Sequence, residues 1–323
     1  MKHSDCPLDS TITRYLTIRR ALGRRYVNEE KVLTSLSQFL HERQHEDLEQ
    51  TGFDSWCRSF AQLNANTRRG RHGIVRNFCL YRRRTEPNCF VPDVNRFPRL
   101  VPYRTPVIIG CTDVVKMLSA AAQIKRFAKS PLKPAVMRLA VILLYTTGLR
   151  LGELVRLTLV DADAVVGVLH IRESKFHKSR FLPLSADAQH ELNDYLEQRL
   201  ASPFSNEPDS PLLCHCTEEF RGYCGEGLGR ALREIFRVAN VQSSDGRLPH
   251  VHDIRHSFAQ EALLRWYRQG ADVQSQLPKL ALYMGHVSIA STAYYLKWIP
   301  ARAEIASQCF ETHFGHLIDG GTS

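Results

Sequence analysis

His252-Asp253-Ile254-Arg255-His256-Ser257-Phe258-Ala259 is the stretch from which the rest of the chain is read. His252 and Arg255 are three residues apart, so a helix places them on one face, where together they can grip a single phosphate. His252 and His256 also stand at i and i+4, a spacing that zinc uses. Asp253, however, occupies the position where a His-Glu-x-x-His site carries glutamate, and no metal is assigned. Outward from this stretch lie three others. In Thr146-Thr147-Gly148-Leu149-Arg150-Leu151-Gly152-Glu153-Leu154, an apolar helix ends at glycine and an arginine follows. Burying Arg150 there is costly unless it meets an anion or pairs with Glu153. Glu173-Ser174-Lys175-Phe176-His177-Lys178-Ser179-Arg180 reads as a hairpin loop between strands at 168–171 and 181–184, and a lysine on such a turn can reach a neighbouring groove. The fourth is Gly285-His286, with Tyr294-Tyr295 eight and nine residues beyond the histidine. Taken singly, each has a plain reading: a salt bridge, a solvated basic turn, a structural histidine, a packed tyrosine pair.

The 323 residues are 43% hydrophobic and 24% charged, which suits a folded protein of about two domains. The longest apolar run, Leu139 to Leu149, is shorter than the roughly 20 residues a bilayer needs. The N-terminus has no apolar signal region, and nine scattered cysteines fit a reducing compartment, so a cytoplasmic protein without membrane contact is expected. Net charge is +10, and most of the excess lies in residues 66–104, where ten arginines face only Glu86 and Asp93. Arginine forks suit phosphate oxygens, and aromatic residues interleave with them, so this window predicts a polyanion-contacting surface. Arg68, Arg69, Arg71, Arg76, Arg82, Arg83 and Arg84 are the candidate DNA-binding residues.

Periodicity predicts about four helices in residues 1–86, with Thr67 capping the fourth and Ile74, Val75, Phe78 and Tyr81 inward. Pro87, Pro92, Pro98, Pro102 and Pro106 then mark 87–107 as an extended linker. From 108 to 323 the pattern is mixed. Thr112-Asp113 starts a helix to Ile124, Ala135–Tyr145 is a core helix, and helices follow the hairpin at about 186–200, 226–239, 253–267, 276–284, 288–297 and 300–313.

In order and local text the four stretches resemble the tyrosine recombinase (phage integrase) family. That family's sequence of Arg, Lys, His-x-x-Arg, Gly-His and a Tyr nine residues after that His is met by Arg150, Lys175, His252, Arg255, His286 and Tyr295. The likeness covers roughly residues 108–300. It implies a mainly α protein with a small β-sheet: an N-terminal helical, SAM-like core-binding bundle and a mixed α+β catalytic domain. The family's lysine lies eight residues before the proline of the second strand, which selects Lys175 over Lys178, and the nine-residue offset selects Tyr295 over Tyr294. Glu153 and His256 are implied to orient the arginines. The implied activity is site-specific DNA recombination. Its partners would be double-stranded recombination sites and further copies of the chain, or sister recombinases, in a DNA-bound tetramer. After Tyr295 the chain reads Leu296-Lys297-Trp298-Ile299-Pro300 rather than Thr-His, which looks more like recombinases of transposons and integrative elements.

The chemistry suits these residue types. Two guanidiniums can stabilise the charge of a pentacovalent phosphate without a metal. The Tyr295 phenol, normally of pKa about 10, needs a base and a positive field to attack, and His252 is the candidate base. His286 would hydrogen-bond the phosphate, and Lys175 would protonate the leaving 5′-oxygen. The 3′-phosphotyrosyl product retains the ester's energy, so rejoining needs no ATP and no cofactor is expected. The alternatives are type IB topoisomerase-like relaxation and a non-catalytic DNA-binding factor. Cys214-His215-Cys216 with Cys224 lacks paired metal spacing, and Gly225-Glu226-Gly227-Leu228-Gly229 reads as a turn before a helix, not a phosphate loop.

Overall fold

The computed structural model describes residues 7–102, 104–172, 179–215, 221–286 and 292. The chain divides into two compact units, Met1–Arg104 and Thr105–Ser323. Among the described residues no helix is long and apolar enough to cross a membrane.

The first unit holds helices α1 (Pro7–Ala21), α2 (Val27–Glu42), α3 (Gln50–Ser59) and α4 (Ala65–Arg82). Apolar residues three and four apart give each helix one inward stripe. Leu8, Ile12, Tyr15 and Leu16 meet Val32, Leu33, Leu36 and Leu40, with Phe53, Trp56, Val75 and Phe78 completing the core. Rings pack edge to face, as in Trp56 against Phe60 at 4.6 Å between centroids. The cap of α4 is Asn64, whose side chain accepts from the Thr67 amide at 2.8 Å. Thr67, expected as the cap, instead supplies one of the first-turn amides that need capping.

Two further differences from the sequence reading lie here. Arg82, expected to face DNA, is only 6% exposed. Val75, Phe78, Cys79 and Arg82 follow helical spacing on the inward face, and the guanidinium grips both oxygens of Asp47 at 2.7 and 3.0 Å and also bonds Glu86. The proline-rich segment, read as a linker, is extended but laid against α4. Pro92 and Phe97 are buried. Arg69 donates to the Pro98 carbonyl at 3.0 Å, Arg76 donates to that of Pro92, and Asn66 pairs with both main-chain groups of Val101. Proline cannot join a helix or sheet ladder, so its free carbonyls take arginine donors instead.

The second unit is built round α6 (Lys133–Thr147), which is apolar over most of its surface, with Arg138 on its outer side paired to Glu191, and buries Val136, Met137, Leu139, Ala140, Val141, Leu143 and Leu144. Packed against it are α5 (Cys111–Ala122), α7 (Leu151–Leu154), α8 (Ala186–Leu200), α9 (Gly225–Val238) and α10 (Val251–Arg268). Helix α11 (Val273–Met284) forms a small separate core with α10 through Leu263, Leu277, Leu280 and Met284. The sheet is antiparallel in the order β1 (Ala162–Asp163), β2 (Val168–Ile171), β3 (Arg180–Pro183). Leu169 faces Leu182 and both are buried, while His170 and Phe181 stack on the outer side. β1 has too few residues to show alternation in sequence. The Gly225–Gly229 stretch is the opening of α9 rather than a turn before it, with the Cys224 sulfur capping the Gly227 amide. The expected hairpin loop at 173–179 and the helices at 288–297 and 300–313 lie outside the described residues, apart from Ser179 and Thr292.

Candidate active site

Three glycine-terminated or helix-starting turns bring the site together. Helix α6 ends at Gly148, which adopts φ +61 as the left-handed residue after the last turn. A Cβ there would lie 2.4 Å from the Phe258 ring of α10, so only glycine lets these elements meet. The chain then extends through Arg150, which caps α7. The Glu153 carboxylate reaches back to the Arg150 amide at 3.0 Å and holds its guanidinium at 2.7 Å. The Glu153 side chain is 1% exposed, against 26% for Arg150.

Helix α10 supplies Arg255 from its buried face. This guanidinium donates to the carbonyls of Gly148 and, at 2.7 Å, Met284. His252 stands one turn earlier and more open to solvent, with the His256 ring edge-on at 5.0 Å. Asp253 fixes the start of the helix by accepting from the His250 amide at 2.9 Å. Ser257 accepts from the Ile109 amide at 2.8 Å.

Helix α11 ends in a Schellman turn. Gly285 takes φ +66, its amide bonds the Leu282 carbonyl, and the His286 amide bonds that of Ala281. The next three carbonyls, of Tyr283, Met284 and Gly285, accept from Arg180, Arg255 and Arg150 at 2.9, 2.7 and 3.0 Å. The negative end of a helix dipole thus meets three cations. His286 follows directly, its Nδ1 2.7 Å from the Thr292 hydroxyl.

Arg150, His252, Arg255 and His286, drawn from three distant stretches, therefore share one cluster, bordered by Glu153 and His256. Lys175 and Tyr295 lie outside the described residues. In the other unit, Arg83 and Arg84 are exposed, Arg68 and Arg71 are half-buried, and Arg69 and Arg76 tie down the proline segment. Sequence reasoning missed Arg180, which closes on Glu153 with both terminal nitrogens at 3.2 and 2.9 Å. Its signal was weak but present: a basic residue opening a strand beside an otherwise apolar register. Among the described residues no group of three His, Cys, Asp or Glu side chains is placed to hold a metal.

Burial, and after it the neighbouring cations, depress the histidines. Desolvation, then His256, Arg255 and Arg150, hold His252 at about 4. Desolvation, then Arg255, Arg150, His252 and Arg180, hold His286 at about 4. Both are neutral at pH 7 in the free protein. An unfolded histidine titrates near 6.5, so between about 6.5 and 4 the unfolded chain binds protons that the folded site refuses. Stability contributed by the neutral rings is full above pH 6.5 and is lost as the pH falls toward 4. Urea midpoints measured from pH 7.5 to 4.5 are expected to fall, and to fall less in His286→Asn. An equal slope in that variant would remove the histidine from this linkage.

The Gly148 turn gives a second prediction. Gly148→Ala is expected to lower stability by about 1–3 kcal/mol, since both the positive φ and the Phe258 contact oppose a methyl group. An unchanged urea midpoint would show that α6 and α10 can separate at no cost.

A model of the phage integrase family matches residues 113–300. The protein y4rB of Sinorhizobium fredii, provisionally named an integrase/recombinase, is 31% identical over 291 residues, spanning 90% of this chain and 92% of its own. Of the similar solved structures, the XerH site-specific recombinase bound to a palindromic difH substrate has a TM-score of 0.62 at 18% identity, covering 87% of this chain and 78% of that one. The Tn1549 transposon integrase in complex with transposon right end DNA also scores 0.62, at 16% identity and with 89% and 94% covered. These two likenesses are of fold. The chain belongs to the phage integrase family of tyrosine recombinases. It is a site-specific DNA recombinase, an enzyme that breaks and rejoins DNA strands, and neither the topoisomerase nor the non-catalytic alternative finds support.

Proposed function

We propose that the cluster around Arg150 and Arg255 is the strand-cleavage site, and that the Tyr295 hydroxyl attacks the scissile phosphorus there to form a 3′-phosphotyrosyl bond. The observation that carries this reading is the convergence of two guanidiniums and two neutral imidazoles on the end of α11. Arg150, the more exposed guanidinium, would meet a non-bridging oxygen first, with Arg255 beneath it adding positive field. His252 is unprotonated at neutral pH, as a base must be. An arriving phosphate would raise its affinity for the tyrosine proton by adding negative charge nearby. Lys175 would protonate the departing 5′-oxygen. The phosphorus–oxygen bond to the sugar breaks as the bond to tyrosine forms, so ester energy is retained and a 5′-hydroxyl can reverse the step without ATP.

Double-stranded recombination sites are the substrate of this reading. Arg68, Arg71, Arg83 and Arg84 of the first unit contact backbone phosphates, while Arg69 and Arg76 hold the proline segment, and residues 1–86 serve as the core-binding domain. Exchange between two duplexes requires four active subunits, so the working form is a DNA-bound tetramer of this chain or of this chain with sister recombinases, acting on the chromosome in the cytoplasm. The residues after Tyr295 recommend a recombinase of a mobile element. The test uses nicked duplexes tiled across the DNA that flanks the chain's own gene. Cleavage near the nick releases a short strand and traps a covalent complex, and peptide mapping should find the phosphoryl group on a tyrosine. Failure of every flanking duplex to give an adduct, alongside relaxation of arbitrary plasmids, would replace this reading with a topoisomerase.

A further inference from the structure

The buried Glu153 carboxylate lies between two guanidiniums that meet it differently. Arg180 approaches fork to fork, with one nitrogen on each oxygen, and its remaining nitrogen donates to the Tyr283 carbonyl. Every nitrogen of this side chain is thus engaged within the protein, and it is 11% exposed. The Arg150 guanidinium meets Glu153 end-on through Nη1, directs Nη2 to the Gly285 carbonyl, and is more exposed than Arg180, at 26%. A buried carboxylate demands one full countercharge. From the geometry we propose that Arg180 supplies it, as a positioning residue that neutralises Glu153 and thereby leaves the charge of Arg150 for the DNA phosphate. This rests on the cleavage-site reading above.

Two consequences separate this role from simple packing. Without Arg180, Glu153 would draw Arg150 onto itself, so cleavage would slow while DNA binding, set by many backbone contacts, would hold. Removing the carboxylate as well would release Arg150 again. Arg180 also fixes the turn that presents His286. A Cβ on Gly285 would lie 2.7 Å from its Nη1, which shows how closely the guanidinium packs on that turn.

The experiment measures single-turnover covalent joining on the nicked duplex to which the wild-type protein becomes attached, together with half-saturating DNA concentration and melting temperature. Arg180→Met is expected to slow joining about 100-fold, the upper end of what loss of a supporting partner does around a charged site, with half-saturation within threefold of wild type. Arg180→Lys should regain part of the rate. The double variant Arg180→Met/Glu153→Gln should join at least tenfold faster than Arg180→Met alone, a non-additive gain that a packing role would not produce. A double variant no faster than Arg180→Met would overturn the proposal, as would a folded Arg180→Met that joins at the wild-type rate. A loss confined to DNA affinity would instead make Arg180 a phosphate contact. Absence of any wild-type adduct would fail the cleavage-site reading itself, an outcome distinct from these.

Discussion

Tyr295→Phe is expected to abolish covalent joining to the nicked duplex while leaving DNA binding unchanged. The variant removes one oxygen, and no phosphoester can form without it. The arginines have no nucleophilic lone pair, and attack by a neutral imidazole would leave an acid-labile phosphoramidate rather than a phosphotyrosine, which peptide mapping distinguishes. Tyr294→Phe should join normally, because the family's nine-residue offset from His286 selects the second tyrosine of the pair. The measurement is a gel-shifted covalent band after denaturation, with retention on the same duplex under native conditions as the binding control. If the band persists in Tyr295→Phe and disappears in Tyr294→Phe, the nucleophile moves by one residue and the spacing argument fails.

The second large effect is at Arg150. Arg150→Gln is expected to slow single-turnover cleavage by about 10²–10³, the usual range for removing one preorganised donor to a developing oxyanion. The rate should fall further than the affinity, because the guanidinium matters most when the phosphate gains charge in the transition state. The variant also frees one contact on Glu153, but the Arg180 fork still covers both oxygens of that carboxylate, so the fold should survive. Arg150→Lys keeps a charge but cannot span Glu153 and Gly285 together as the planar fork does, and is expected to recover little. A rate within fivefold of wild type in Arg150→Gln would mean that the charge is supplied elsewhere.

Much of this arrangement is legible in the sequence because its physics is local. A helix with apolar residues on most of its surface has to be central, and α6 is. A helix ending in glycine has to turn there, and both Gly148 and Gly285 take the left-handed conformation. The i, i+3 spacing of His252 and Arg255 needed only one helix to become meaningful. The features that escaped depend on partners far along the chain. Arg82 reads as one of three consecutive surface arginines until Asp47 is placed beneath it. The prolines of 87–107 read as a spacer because nothing in them signals that their carbonyls would be met by Arg69 and Arg76. Arg180 reads as the end of a basic loop, since Glu153 lies 27 residues earlier and Tyr283 lies 103 later.

The turn at the end of α11 carries a lesson for variation and engineering. Three arginines grip main-chain oxygens rather than side chains at positions 283 to 285, so the identities of those side chains carry little of the anchoring. Length does carry it. Deleting or inserting one residue between Leu282 and His286 would put all three anchors out of step together, a larger disruption than a changed side chain at Tyr283, whereas Gly285 is held to glycine by its positive φ and the Arg180 guanidinium, and Met284 by its place in the core.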